Sequence, residues 1–311
     1  MNKDLRLSKV LQIVILAIIL ILISLNISQL RLLLLLIPVP FALIGTLSNL
    51  TNSIASLIII FLALAYMIKP IQAMDIFINS IVPGLIIGII AKKVIREKDS
   101  NKYEPIFMGS IVFIIAIIAY YFMYKYAFKI DILNEFLQIL DKGLESQKDV
   151  LKSAGNELLK SDTFRKIIPS VLFFRSMILS IIIYLIEIFL LRRMKYDDLS
   201  EIKFKNFYLP GNAVLTSFVL YILIMLIEIL NIPLYTDLIL VNLELIFYIL
   251  FLIQGVSVAI FFTKKWLKAG HVIKFILGII AVSIVGIMGI SILGMVDSIF
   301  DFRKVKSCEL I

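Results

Sequence analysis

Apolar residues in this chain come in long unbroken blocks, separated by short charged stretches. Inside the blocks Ile, Leu, Val and Phe follow one another without the period-two alternation of a half-exposed strand or the single apolar stripe of a soluble amphipathic helix. Many blocks approach the roughly 18–20 residues that cross hydrocarbon as helix. In lipid only helices and closed barrels satisfy every backbone group, and barrel strands read as short alternating segments. The pattern therefore predicts an all-α integral membrane protein. Nine segments can be drawn, at 10–28, 30–48, 53–68, 74–91, 106–128, 169–191, 211–230, 237–263 and 272–296. The second carries Pro38 and Pro40, which interrupt a regular helix, and the third is short. A broken or re-entrant element there leaves eight spans. The expectation is a bundle of about 8–9 transmembrane helices, forming a single polytopic domain over residues 1–311.

The stretch 129–168 departs from this pattern. Seven acids and seven bases balance each other there, while Leu133, Phe136, Leu137, Leu140 and Leu144 recur at helical spacing. One or two amphipathic helices on the outer membrane surface, or capping the bundle, fit this composition. A ligand-gating lid is the sharper alternative. Basic residues fill the loops after segment four (Lys92, Lys93, Arg96, Lys98, Lys102), after segment six (Arg192, Arg193, Lys195, Lys203, Lys205) and after segment eight (Lys264, Lys265, Lys268, Lys274). All three loops are expected to be cytoplasmic. The chain's end conflicts with that assignment. Nine spans from a cytoplasmic N-terminus put the C-terminus outside, although Arg303, Lys304 and Lys306 lie there. Eight spans or a re-entrant segment remove the conflict.

The composition adds exclusions. Of 311 residues, 61% are hydrophobic and the net charge is +9. A soluble domain of this size needs more polar surface. The excess base sits beside apolar spans, so topology accounts for it and no nucleic-acid partner is expected. The single cysteine, Cys308, and single histidine, His271, form no metal-ligand pattern. No cofactor or metal is expected. No phosphate loop, dinucleotide fingerprint or His-Glu-x-x-His motif appears, so the chain is not read as an enzyme and lacks its own ATPase. Lys3, Arg6 and Lys9 precede an apolar run without a small-x-small cleavage site, which reads as an uncleaved first helix.

Ionisable residues within spans are rare and functional by default. Arg175, Glu228 and Glu244 form the candidate buried polar site. Arg175 lies about 9 Å, and Glu244 about 10 Å, into their segments from the outer side at the helical rise. Opposite charges at matched depth predict a buried pair or a polar pocket in the outer half, serving either a structural bridge or a solute site. Glu187, five residues before Arg192, is expected to snorkel or to pair with the basic loop. Asn79, Asn242 and Gln254 are weaker polar candidates. Gly84 and Gly88 form a GxxxG step, and Gly278, Ala281, Gly286, Gly289 and Gly294 thin one or more faces of the last helix. These glycines are read as helix-packing positions, either inside the chain or toward a partner membrane protein.

Three patterns carry a resemblance. The last helix ends in Leu293-Gly294-Met295-Val296-Asp297-Ser298-Ile299-Phe300-Asp301-Phe302-Arg303; upstream lie Phe207-Tyr208-Leu209-Pro210 and Gln254-Gly255. Together they resemble the YybS-like family, an uncharacterised family of bacterial multi-pass membrane proteins. The first half, with Ile37-Pro38-Val39-Pro40 and Pro83-Gly84-Leu85-Ile86-Ile87-Gly88, is similar to the substrate-binding membrane subunits of energy-coupling-factor vitamin transporters. The resemblance implies a bacterial cytoplasmic membrane protein and transfers no catalytic residue. The leading functional reading is a solute-binding or transport-related protein with a polar pocket in its outer half. The alternative is a non-transporting scaffold that docks partners in cell-envelope growth or signalling. A membrane-embedded enzyme ranks third. The expected partners are the lipid bilayer, a small-molecule solute and a membrane protein.

Overall fold

A computed structural model describes residues 7–97, 101–146, 161–194, 202–209, 212–230, 232, 235–268 and 272–305. Among them every regular element is a helix, and seven helical runs are long and apolar enough to cross a membrane. Two shorter apolar helices lie at Ala213–Ile229 and Gly286–Phe300. The chain is an all-α membrane protein. It divides into two compact units. The first comprises Met1–Glu97, Glu104–Ser161 and Leu172–Ser200; the second comprises Lys98–Tyr103, Asp162–Val171 and Glu201–Ile311.

The first unit contains α1 (Leu7–Asn26), α2 (Pro38–Leu47), α3 (Leu50–Met67), α4 (Pro70–Ile76), α5 (Val82–Arg96), α6 (Glu104–Ala127), α7 (Ile132–Ser146) and most of α8 (Ser161–Arg193). The interruption expected at Pro38 is present. Residues Ser28–Leu36 wind as a 3-10 helix, and Pro38 opens α2 in the first turn, where no N–H donor is needed. Pro83 has a similar effect. It cannot donate to the carbonyl four residues back, so Phe77–Ile81 widens into a π turn in which the Val82 N–H reaches the Phe77 carbonyl.

Small residues set the closest packing. Gly84 faces the Pro38 backbone, Gly88 faces the Ala42 carbonyl, and Gly45 faces the Leu85 carbonyl, so α2 and α5 approach backbone to backbone. Lipid is as apolar as leucine, so close van der Waals contact holds such helices together. The glycine step therefore packs inside the chain. Val14, Ile21, Phe41, Ile44, Ile60 and Leu64 fill the core around it. Helix α7 occupies the first part of the expected amphipathic stretch. Leu137 is buried there while Leu133, Phe136 and Ile139 are exposed. Residues 147–160, which belong to the same expectation, lie outside the described residues.

The second unit contains α9 (Ala213–Ile229), α10 (Thr236–Lys268), α11 (Val272–Phe300), a 3-10 turn at Phe204–Asn206 and the start of α8. Helix α11 breaks at Gly286, whose backbone lies at φ 65° and ψ −165°. Beyond the break the chain runs parallel to α10. Ser291 donates to the Tyr248 carbonyl at 3.0 Å, Gly294 lies against the Phe251 carbonyl, and Gln254 donates to Asp297 at 3.0 Å. Farther on, Arg303 donates to Ser257 at 2.7 Å. Positions on both helices rise together. Because α10 continues to Lys268, the first half of α11 must carry the chain back before the second half returns.

The last segment, expected as one span, is thus a helical hairpin. It brings Arg303 to the 204–207 turn, against the carbonyls of Lys205 and Phe207. Gly286 is corrected accordingly: among the described residues, a methyl group there would meet nothing within 4 Å. Gly286 is a turn residue in a conformation essentially restricted to glycine. Gly294, one of the expected packing glycines, makes the close contact with α10 at Phe251 and Gly255, while Gly289 is half-buried.

Candidate functional site

A cavity of ≈ 160 Å³ opens in the first unit, lined by Asp75, Asn79, Ser80 and Arg175 together with Leu34, Leu35, Ile37, Pro38, Ile76, Phe113 and Leu179. The π turn builds its polar wall, because Asn79 and Ser80 lie within it and Asp75 one turn earlier. Asn79 donates its amide to Asp75 at 2.7 Å. Arg175 projects from α8 and is exposed. Asp75 and Arg175 line the same cavity without a direct ion pair between them. The sequence reading singled out Arg175 and Asn79 and missed Asp75, which stands at the outer edge of the segment drawn from 74. The available signal was the carboxylate at 75 followed four residues later by Asn79 and then by Pro83, a helix-disrupting residue.

Glu187 also requires correction. It is fully buried and does not reach the basic loop. Its Oε1 meets the Thr46 hydroxyl, which also lies 2.9 Å from the Gly88 carbonyl and 3.2 Å from that of Ala42. Its Oε2 has no partner among the described residues. The close α2–α5 crossing delivers Thr46 to this position, because Gly88 has no side chain to intervene.

Two weaker candidates have structural duties in the second unit. Pro169 interrupts α8. The Asn242 amide bridges the gap: Ser170 N–H donates to its Oδ1 at 2.9 Å, and its Nδ2 donates to the Lys166 carbonyl at 2.7 Å. One carboxamide thus serves an N–H and a C=O one turn apart beside the proline. Gln254 accepts from the Leu209 N–H at 3.1 Å and donates to Asp297.

Arg303 completes a buried knot around Gln254. Its Nη2 donates to Asp297 and to the Phe207 carbonyl, both at 2.8 Å, and its Nη1 donates to the Lys205 carbonyl at 2.8 Å and to Ser257. Nε also faces Asp297. The guanidinium is saturated, so the knot is a clamp with no vacancy for a ligand. All three motifs behind the family resemblance converge in it. Glu228 and Glu244 take no part and are exposed. Arg175 belongs to the first unit and Glu244 to the second, so neither unit contains the expected pair within itself.

Over residues 14–298 the chain matches the family described as Predicted membrane protein (DUF2232). The chain belongs to this family. No curated protein and no solved structure matches it. The family match spans the polar residues of the cavity and the Phe207, Gln254 and Asp297 positions of the knot; Arg303 lies just beyond it. It agrees with the resemblance to an uncharacterised multi-pass membrane family. The likeness to energy-coupling-factor subunits has no counterpart among the matches.

Proposed function

We propose that the protein binds a small polar solute in the cavity of the first unit and takes part in moving it across a bacterial cytoplasmic membrane. One observation carries this reading: a guanidinium and a carboxylate line one cavity without neutralising each other. A guanidinium offers five donors and a fixed positive charge, and a charge near hydrocarbon is unfavourable unless it is met. An anionic group on a solute supplies the missing acceptor, and Asp75 with Asn79 offers a complementary polar wall. The π turn adds support, since irregular backbone at membrane depth belongs where it lines a cavity. The cavity lies along the first half of the Pro70–Arg96 run, and Arg175 stands nearer to Pro169 than to Arg192 along α8, away from Lys92, Lys93, Arg192 and Arg193. With those ends cytoplasmic, it occupies the outer half. A gradient or a separate partner supplies any energy.

The test is mass spectrometry of small molecules retained after gentle detergent purification. The parent should retain a polar solute that Arg175→Gln and Asp75→Asn lose, with their melting temperatures unchanged. Equal retention by all three proteins overturns the site. Retention of no solute, together with a stoichiometric membrane-protein partner, favours the scaffold reading.

A further inference from the structure

Lysines from two separate stretches of the second unit meet at one groove. Lys203 precedes the 3-10 turn and Lys205 lies within it, and Lys264 and Lys265 stand near the end of α10; with Phe261 they line a space of ≈ 500 Å³. None of these lining residues is acidic. The turn is held in place from several sides. Arg303 grips the Lys205 and Phe207 carbonyls, Tyr103 donates its hydroxyl to the Lys203 carbonyl at 2.9 Å, and Ser257 donates to the Phe204 carbonyl at 2.6 Å. The Tyr103 ring meets Phe207 edge-on at 5.1 Å.

Topology requires positive loops, but it does not require two of them to converge on one fixed groove. Lys205, Lys264 and Lys265 bring three ammonium groups to one space, and an anion placed there meets them together. The shared chemistry points to a phosphate group. Phe261 and the end of the apolar run Thr236–Trp266 put the groove where hydrocarbon gives way to water. A phospholipid presents its phosphate at that level with acyl chains beside the helix; a free anion has no such apolar part. We infer that this groove binds the headgroup phosphate of an anionic phospholipid, and that the Asp297–Arg303 knot serves to hold two of its lysines in position.

The test uses the full chain in mild detergent, titrated with phosphatidylglycerol, phosphatidylcholine or inorganic phosphate and followed by native mass spectrometry. The parent should bind phosphatidylglycerol at about tenfold lower concentration than phosphatidylcholine, as expected for several basic contacts. Replacing all four lysines with Gln should abolish this preference while leaving the lipid-free melting temperature unchanged, because Tyr103 and Arg303 hold backbone carbonyls that the substitutions keep. The double variant Lys264→Gln/Lys265→Gln leaves the turn untouched and should lose most of the preference, which covers the case of a misfolded quadruple variant. Undiminished preference in the double variant overturns the inference. Displacement of phosphatidylglycerol by equimolar inorganic phosphate assigns the groove to a free anion and overturns the lipid assignment.

Discussion

Removing the Arg303 guanidinium tests the clamp most directly. Asp297 is 2% exposed, so Arg303→Met leaves a buried carboxylate without its cation. Breaking such a pair costs about 3–5 kcal/mol. The change also strips donors from the Lys205 and Phe207 carbonyls and from Ser257, at about 1 kcal/mol each or more for a buried unmet group. The low ends together give about 6 kcal/mol. Asp297→Leu leaves the cation unpaired and the Gln254 amide unmet, for about 4 kcal/mol. In the double variant both charges are gone and only neutral groups remain unmet, for about 4 kcal/mol instead of the roughly 10 that independent effects would give. Unfolding can be followed through Trp266, the chain's one tryptophan, which lies on α10 beside the clamp's helix pair. Titration with a denaturing detergent yields the cycle. Additivity of the two single variants within about 0.5 kcal/mol would refute the coupled clamp, as would an Arg303→Met protein as stable as the parent.

Four further outcomes follow from the geometry. Gly286→Ala should destabilise by about 1–3 kcal/mol through backbone strain alone, whereas Gly143→Ala, on open helix surface, should stabilise by about 0.5–1 kcal/mol; equal melting shifts would contradict the turn at Gly286. Asn242→Leu should cost about 1–3 kcal/mol by leaving Ser170 N–H and Lys166 C=O unmet, and adding Pro169→Ala should recover most of that by restoring the regular helix; a double variant no better than the single one counts against the bridge. Gly88→Leu should cost about 1–3 kcal/mol or more by forcing α2 and α5 apart; an unchanged melting temperature with loss of a co-purifying protein would turn this face into a docking surface. In a Cys308→Ser background, cysteines at Lys203 and Lys304 should resist an impermeant maleimide on intact cells while one at Glu135 reacts; different labelling of Lys203 and Lys304 would disprove the hairpin.

The membrane class and most helices were legible in the sequence because a helix in lipid satisfies its own backbone. Length and apolarity alone then mark a span, without reference to any distant residue. The break at Pro38 was equally local, since a missing N–H acts within one turn. Glu187 was misread because its partner Thr46 lies 141 positions away; nearness to Arg192 in sequence said nothing about which helix face it occupied. Gly286 looked like a packing residue because composition records a missing side chain and not a φ angle. The resemblance flagged Phe207, Gln254 and Asp297, but their joint purpose depended on α11 turning back on itself. A periodic apolar run reads the same in either direction, so no local pattern distinguishes one full crossing from a hairpin. Which way the second half of α11 runs was settled by contacts between distant residues: two glycines that let backbones touch, and one arginine whose five donors are met only if the chain returns.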